Sequence, residues 1–253
     1  LKDVRDVVDE NHMYIRIASN DFFAVSKDVV SKMIAGKLTA EQAYQAFNAQ
    51  LLADEEPADN ETVLTSGKGY SNVFHANGGN AAFSVMANTL RGVYGTDVLL
   101  ATANSFTGSV LQADYNQKMA ASMIMPNGLM SRQRTMTGAE LKETVRAFVE
   151  GCEGGFVPFN RGSLPVVSGI AVEVKEANGS YTLTGITRNG QPLGDNDTVT
   201  VTCLATEKQL DTLLASESGT SAGEDAWVKY TWTDYVSGGK AVLAEPENYM
   251  TLR

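Results

Sequence analysis

The sequence predicts an α/β (α+β) protein: a layered domain over 62–253 with a mixed β-sheet flanked by helices, preceded by a short helical segment over 1–53. Three observations carry this. Thr198-Val199-Thr200-Val201-Thr202-Cys203-Leu204 alternates with the two-residue period of a strand. Thr137-Gly138-Ala139-Glu140 is a capping box that opens a helix to about Glu150, with Leu141, Val145, Phe148 and Val149 on one face. Asp97-Val98-Leu99-Leu100-Ala101-Thr102 is short, apolar and unalternating, the pattern of a strand buried on both faces.

The remaining elements follow in chain order. Tyr14-Ile15-Arg16-Ile17 alternates as a short strand. Ser26 is an N-cap for a helix over Lys27 to Ala35 that Gly36 stops, and Thr39 with Gln42 opens a second one. Residues 54–61 carry five acids and one proline and no large apolar residue, which predicts a solvated linker and the domain boundary. Gly78-Gly79-Asn80 precedes an apolar helix from about Ala81 to Tyr94. Val166 to Val174 and Tyr181 to Ile186 read as sheet, with tight turns at Asn178-Gly179 and Asn189-Gly190. Helices are expected near Glu207 to Ala215 and from Asp225 to Val236, separated by a small-residue loop.

Composition limits the function classes. The 253 residues hold 20 Lys plus Arg and 30 Asp plus Glu, a net charge of -10, which argues against nonspecific binding to nucleic acid or anionic lipid. No apolar run approaches the ~18 residues of a membrane span. With 2 histidines, His12 and His75, no His-rich metal centre can be built. There is no phosphate loop, no C-x-x-C and no H-E-x-x-H. The sequence therefore predicts no catalytic residue and no metal ligand in this chain. Cys152 and Cys203 read as small buried hydrophobes. The chain begins at Leu1 with a charged segment and no h-region, and is read as a piece of a longer protein.

Four segments admit two readings each. Gly78-Gly79-Asn80 either offers amides to an anion or simply caps a helix. Asn104-Ser105-Phe106-Thr107-Gly108 follows a strand, where ligands bind in open α/β sheets, or it is a surface turn. In the glycine-rich run 154–162, Phe156 and Phe159 either stack on a base or sugar or plug the core. Arg161 either holds a phosphate or carboxylate or pairs with a protein acid. Trp227, Tyr230, Trp232 and Tyr235 form either a sugar platform or part of the core.

From about Thr62 to Ala215 a set of short motifs runs in order: the Gly79-Asn80 helix start, Thr96 to Asn104 as a strand ending in Asn, and the Met125-Pro126-Asn127 turn. Met136-Thr137-Gly138-Ala139-Glu140-Leu141-Lys142, Val167-Ser168-Gly169-Ile170, and Gly190-Gln191-Pro192-Leu193 with Thr198 to Val201 follow. In this order the stretch resembles the C-terminal domain of the 5'-nucleotidase / UDP-sugar hydrolase family. The resemblance implies a substrate-recognition domain for a nucleotide, nucleoside or sugar. The family's chemistry and its divalent metals reside in a separate metallophosphatase domain, so no cofactor is expected in this chain.

Two family elements are altered. Where the family has Gly-Gly-x-Arg after its Asn, this chain keeps Asn104 but has Ser105, Phe106 and Gly108 at the Gly, Gly and Arg places. The late Gly-Gly-Asp-Gly-Tyr loop is not found. The expected ligand-binding set is accordingly Asn104, Phe106, Phe156, Phe159 and Arg161. The alternative is a degenerate binding or scaffold module of an exported solute-binding fusion. It is suggested by Lys37-Leu38-Thr39-Ala40-Glu41-Gln42-Ala43, which is similar to the C-terminal end of extracellular solute-binding proteins. Either resemblance implies an extracellular or cell-surface location.

Overall fold

The computed structural model describes residues 12–18, 21–26, 31–32, 34–37, 39, 42, 61–73, 78–102, 105–124, 128–150, 165–178, 180–214, 219–239 and 241–253. The chain divides into two compact units, Leu1–Glu61 and Thr62–Arg253.

In the first unit β1 (His12–Ala18) and β2 (Asp21–Ser26) form an antiparallel hairpin, with Tyr14 opposite Ala24 and Arg16 opposite Phe22. The strand expected at 14–17 is present. Its partner is not legible locally, because Phe22-Phe23-Ala24-Val25 lacks the alternation that marks a half-buried strand. The segment expected to be helical thus contains a hairpin. The expected helix stop is seen where Lys37 N–H donates to Lys32 C=O at 2.8 Å across Gly36. Thr39 and Gln42 make both capping-box bonds, at 2.9 and 3.1 Å. The acidic stretch 54–60 lies outside the described residues.

The second unit is built on a mixed sheet in the order β12-β6-β11-β4-β7. Its strands are β4 (Val98–Thr102), β6 (Leu129–Thr137), β7 (Pro165–Ser168), β11 (Thr198–Thr206) and the short β12 (Thr220–Ser221). β13 (Ala226–Trp227) also pairs with β6. β4 is parallel to β11 and antiparallel to β7, and all of its residues are buried, as its unalternating sequence predicts. A second sheet, β10-β9-β8-β14, comprises Gln191–Pro192, Ser180–Arg188, Ala171–Ala177 and Met250–Leu252. β3 (Thr62–Ser66) pairs with β5 (Ala113–Asn116).

Five helices pack on these sheets among the described residues: α1 (Ala81–Tyr94), α2 (Gln117–Ala121), α3 (Gly138–Glu150), α4 (Glu207–Leu213) and α5 (Val228–Ser237). α1 lies on β4 and β7, and α3 lies against β9 of the second sheet. The buried stripe of α3 is the predicted one: Leu141, Val145, Phe148 and Val149. The Thr137 cap is formed, with Glu140 N–H donating to Thr137 Oγ1 and Thr137 N–H donating to Glu140 Oε2 at 2.7 Å. At the core of the α5 side, Trp232 is 0% exposed and its Nε1–H donates to the Ala120 C=O at 2.7 Å.

The predicted sheet run 166–174 is broken into β7 and β8, which belong to different sheets. The cause is Gly169. Its φ is +83°, and a Cβ there would lie 2.1 Å from the Asp97 carbonyl oxygen. Only glycine lets the chain turn out of one sheet at that contact and enter the other. The last helix also starts later than expected, at Val228, because Ala226 and Trp227 pair with Ser131 and Met130. The two turns behave as their dipeptides predict. Asn178 and Asn189 have φ of 54° and 52°, and Gly190 follows at 75°, which fits a two-residue hairpin turn.

Asp97 joins the two sheets. Its Oδ2 accepts from Thr200 N–H and Thr200 Oγ1, both at 2.9 Å, and its Oδ1 accepts from Arg188 Nη2 at 2.5 Å. The Thr200 backbone bond is the main reason its carboxyl titrates below the ordinary range, with Arg188 adding to it. No helix among the described residues is long and apolar enough to cross a membrane.

Candidate functional site

Strand register gathers several chain segments at one rim of the six-stranded sheet. Ala101 of β4 lies beside Leu204 of the parallel β11. One step further, Thr102 ends β4 opposite Pro165, the first residue of β7. Ala205 pairs with Met130 near the start of β6, and Met130 pairs with Trp227 of β13. Trp227, Met130, Ala205, Thr102 and Pro165 therefore form one row across the rim. With ~4.8 Å between strands, its two ends are about 19 Å apart. Loops beyond the carboxyl ends of parallel strands are where open α/β sheets take ligands.

The polar groups set into this rim are small. Thr102 Oγ1 and Ser105 Oγ are 3.2 Å apart, and Ser105 Oγ lies 3.5 Å from the Leu204 C=O. Ser105 is fully buried and Thr102 nearly so. Phe106, expected to face a ligand, is only 4% exposed. Its ring centroid lies 5.8 Å from that of Phe83 on α1, and its backbone bridges to Ile124. That bridge turns the ring inward, so it forms a floor beneath the rim. Of the other expected site residues, Asn104, Phe156, Phe159 and Arg161 lie outside the described residues. So do His75, Cys152 and Met125-Pro126-Asn127.

Thr102 and Pro165 are paired, so β4 ends beside the start of β7 at this rim.

The glycine pair before α1 takes its capping reading. Asn80 Oδ1 accepts from Phe83 N–H at 3.0 Å, and its Nδ2 donates to Asn72 C=O at 2.7 Å. The four C-terminal aromatics separate. Trp232 is core, and Tyr235 packs against it with ring centroids 5.8 Å apart. Trp227 and Tyr230 remain 47% and 64% exposed. Trp227 is therefore the one large accessible ring among the described residues on the rim row.

A charged cluster that sequence reasoning missed stands two residues in from that row. Arg132 Nε and Nη2 grip Asp225 at 3.0 and 2.7 Å, and Nη1 donates to Asp211 at 2.9 Å. The Arg132 side chain is only 14% exposed. Its bonds to Asp225, then Asp211, raise its pKa further and keep it charged. Arg134 lies two residues along the same strand, its Nε buried without a hydrogen-bond partner among the described residues. Cys203 is opposite Arg132 on β11. Burial pushes its thiol up to about 12. The alternating Arg132-Gln133-Arg134 is visible in the sequence, but the acids it engages are 79 and 93 residues away. Among the described residues no three metal-ligating His, Cys, Asp or Glu side chains converge.

No protein-family model matches the chain, and no curated protein does. Solved structures do match. A 5'-nucleotidase precursor of Thermus thermophilus superposes with TM-score 0.56 at 14% identity, over 85% of this chain and 43% of its own. The sulfate thiohydrolase SoxB of Thermus thermophilus gives 0.57 at 14%, over 92% and 41%. The NAD nucleotidase NadN of Haemophilus influenzae gives 0.53 at 14%, over 95% and 48%. The chain thus spans less than half the length of each. It shares with part of these 5'-nucleotidase-type structures the fold that the ordered motifs of its sequence predict.

Proposed function

We propose that this chain is the substrate-recognition domain of a 5'-nucleotidase-like hydrolase, binding a nucleotide, nucleoside or sugar-nucleotide at the rim where β4 and β11 end. The observation that supports this reading is the Thr102–Pro165 pair, which sets the end of β4 beside the start of β7. Arg161 supplies a forked cation for phosphate. Phe156 and Phe159 supply faces for a base, and Asn104 supplies a directional hydrogen bond. Exposed Trp227, on the same row, adds a further stacking surface. In this reading the metal-dependent bond cleavage belongs to a separate metallophosphatase domain. The same reading carries an extracellular or cell-surface location for the parent protein.

The test is calorimetric titration of nucleotides, nucleosides and UDP-sugars into the wild type and Arg161→Ala. The reading expects binding by one class, abolished in Arg161→Ala while the melting temperature stays within about 1 °C, as for a surface substitution. Unchanged binding in Arg161→Ala removes this site.

One observation favours a second reading, a degenerate binding or scaffold module of an exported fusion protein: Phe106 is packed into the core against Phe83 instead of facing the rim. That reading expects no heat from any of these ligands.

A further inference from the structure

A cleft of about 270 Å³ lies between α3 and the β9–β10 hairpin, and none of its lining residues belongs to the rim. Its floor is apolar: Ile186 and Leu193 are 6% and 3% exposed, and Leu183 packs partly buried against the same core. Its mouth carries Lys142 and Arg146, one helical turn apart on α3. Across from them β9 bulges. Glu173 pairs with Gly185 and Val174 with Leu183, which leaves Thr184 unpaired. Thr184 Oγ1 donates to the Glu173 C=O at 3.1 Å, and Thr184 and Gly185 line the cleft at the bulge.

Like charges at this spacing repel one another along a helix. Among the described residues they are balanced only by acids standing in water. Lys142 Nζ lies 2.6 Å from Asp195, whose side chain is 72% exposed. Arg146 contacts Glu143, which is 70% exposed, and stands 3.8 Å from Glu150. Exposed pairs of this kind contribute ~0–1 kcal/mol, so exchanging them for a ligand's carboxylate costs little. An apolar floor beneath two cations selects a molecule with an apolar body and one acidic end. The volume lies below the ~300–1,000 Å³ of drug-sized pockets, so that molecule is small.

We propose that the α3–β9 cleft is a second ligand site, separate from the rim, that binds a small aliphatic or aryl carboxylate. The acid lies between Lys142 and Arg146, and the apolar body rests on Leu183, Ile186 and Leu193.

The probe is octanoate, followed by the methyl resonances of Leu183, Ile186 and Leu193, with octanol and octylamine as chain-matched controls. The site predicts saturable shifts of those methyls with octanoate, at least 10-fold weaker response to octanol, and none to octylamine. In K142Q/R146Q the octanoate affinity falls at least 10-fold, while the chain unfolds at the wild-type temperature. Equal response to octanol overturns the proposal, because the cations then recognise nothing. Unshifted methyls at millimolar octanoate also overturn it. Should the double variant fail to fold, the octanoate–octylamine comparison on the wild type decides alone. A nucleotide titration reads the rim instead, so the two readings fail separately.

Discussion

Gly169 should be a sensitive backbone position in the fold, and Gly169→Ala measures why. Two costs add there. Holding a non-glycine residue at φ +83° costs about 1–2 kcal/mol, of which loss of unfolded-chain freedom returns ~0.4–1. The new Cβ would also sit 2.1 Å from the Asp97 carbonyl oxygen, where contacts under 3.0 Å are essentially never found. The backbone must therefore part by roughly 1 Å, and forced overpacking of this kind costs about 1–3 kcal/mol. The sum is about 2–4 kcal/mol. At ~2–4 °C per kcal/mol for a domain of this size, the melting temperature drops by about 4–16 °C. Gly190→Ala is the control. Its φ is +75° but nothing lies within 4 Å of its Cβ, so only the conformational cost of ~1 kcal/mol or less applies. Scanning calorimetry on both variants separates the two effects. Equal shifts in the two variants would refute the close Gly169–Asp97 approach as the hinge between the sheets.

Three further outcomes follow from the same structure. Asp97 titrates below its ordinary range in the folded protein, so its contribution is present above the unfolded value near 3.9 and is lost as pH falls through the folded one. Asp97→Asn should flatten the acid limb of a stability–pH curve below about pH 4. Because the carboxyl is partly exposed, the loss at neutral pH should be only about 1–2 kcal/mol; an unchanged acid limb contradicts its role as the tie between the sheets. Trp227→Phe should leave a blue-shifted emission that acrylamide quenches poorly, since Trp232 is 0% exposed and Trp227 carries the accessible ring. Cys203 is fully buried with its thiol pushed up to about 12, so in the native state a disulfide reagent at pH 8 should leave it unmodified, whereas unfolding in urea should expose it. Rapid native labelling of Cys203 would place the strand elsewhere.

The features legible in the sequence are those whose determinants lie within a few residues. Thr137 and Glu140, Thr39 and Gln42, and Asn189 and Gly190 carry their own hydrogen-bond partners or backbone preferences, and each forms a cap or turn. β4 is legible because burial on both faces leaves a continuous apolar run. What escapes depends on distant partners. β12 and β13 are two-residue strands that exist only as additions to β6, so Ala226 and Trp227 read locally as helix. The split at Gly169 depends on a carbonyl 72 positions away at Asp97. Likewise, nothing in Ser105-Phe106-Thr107 says that a bridge to Ile124 turns the ring inward. Of the expected site, Asn104, Phe156, Phe159 and Arg161 lie outside the described residues, and the Arg132 cluster needs Asp211 and Asp225, which sequence spacing does not connect.

The most direct test of ligand recognition at the β4–β11 rim is thermal unfolding of the chain against nucleosides, nucleotides, UDP-sugars and free sugars. A ligand at ~100 times its dissociation constant adds about 2.7 kcal/mol, which is a rise of about 5–11 °C for a domain of this size. The account predicts such a rise with one chemical class and its loss in Arg161→Ala. A flat panel at millimolar ligand would contradict it and leave the buried Phe106 as the mark of a module that no longer recognises a nucleotide.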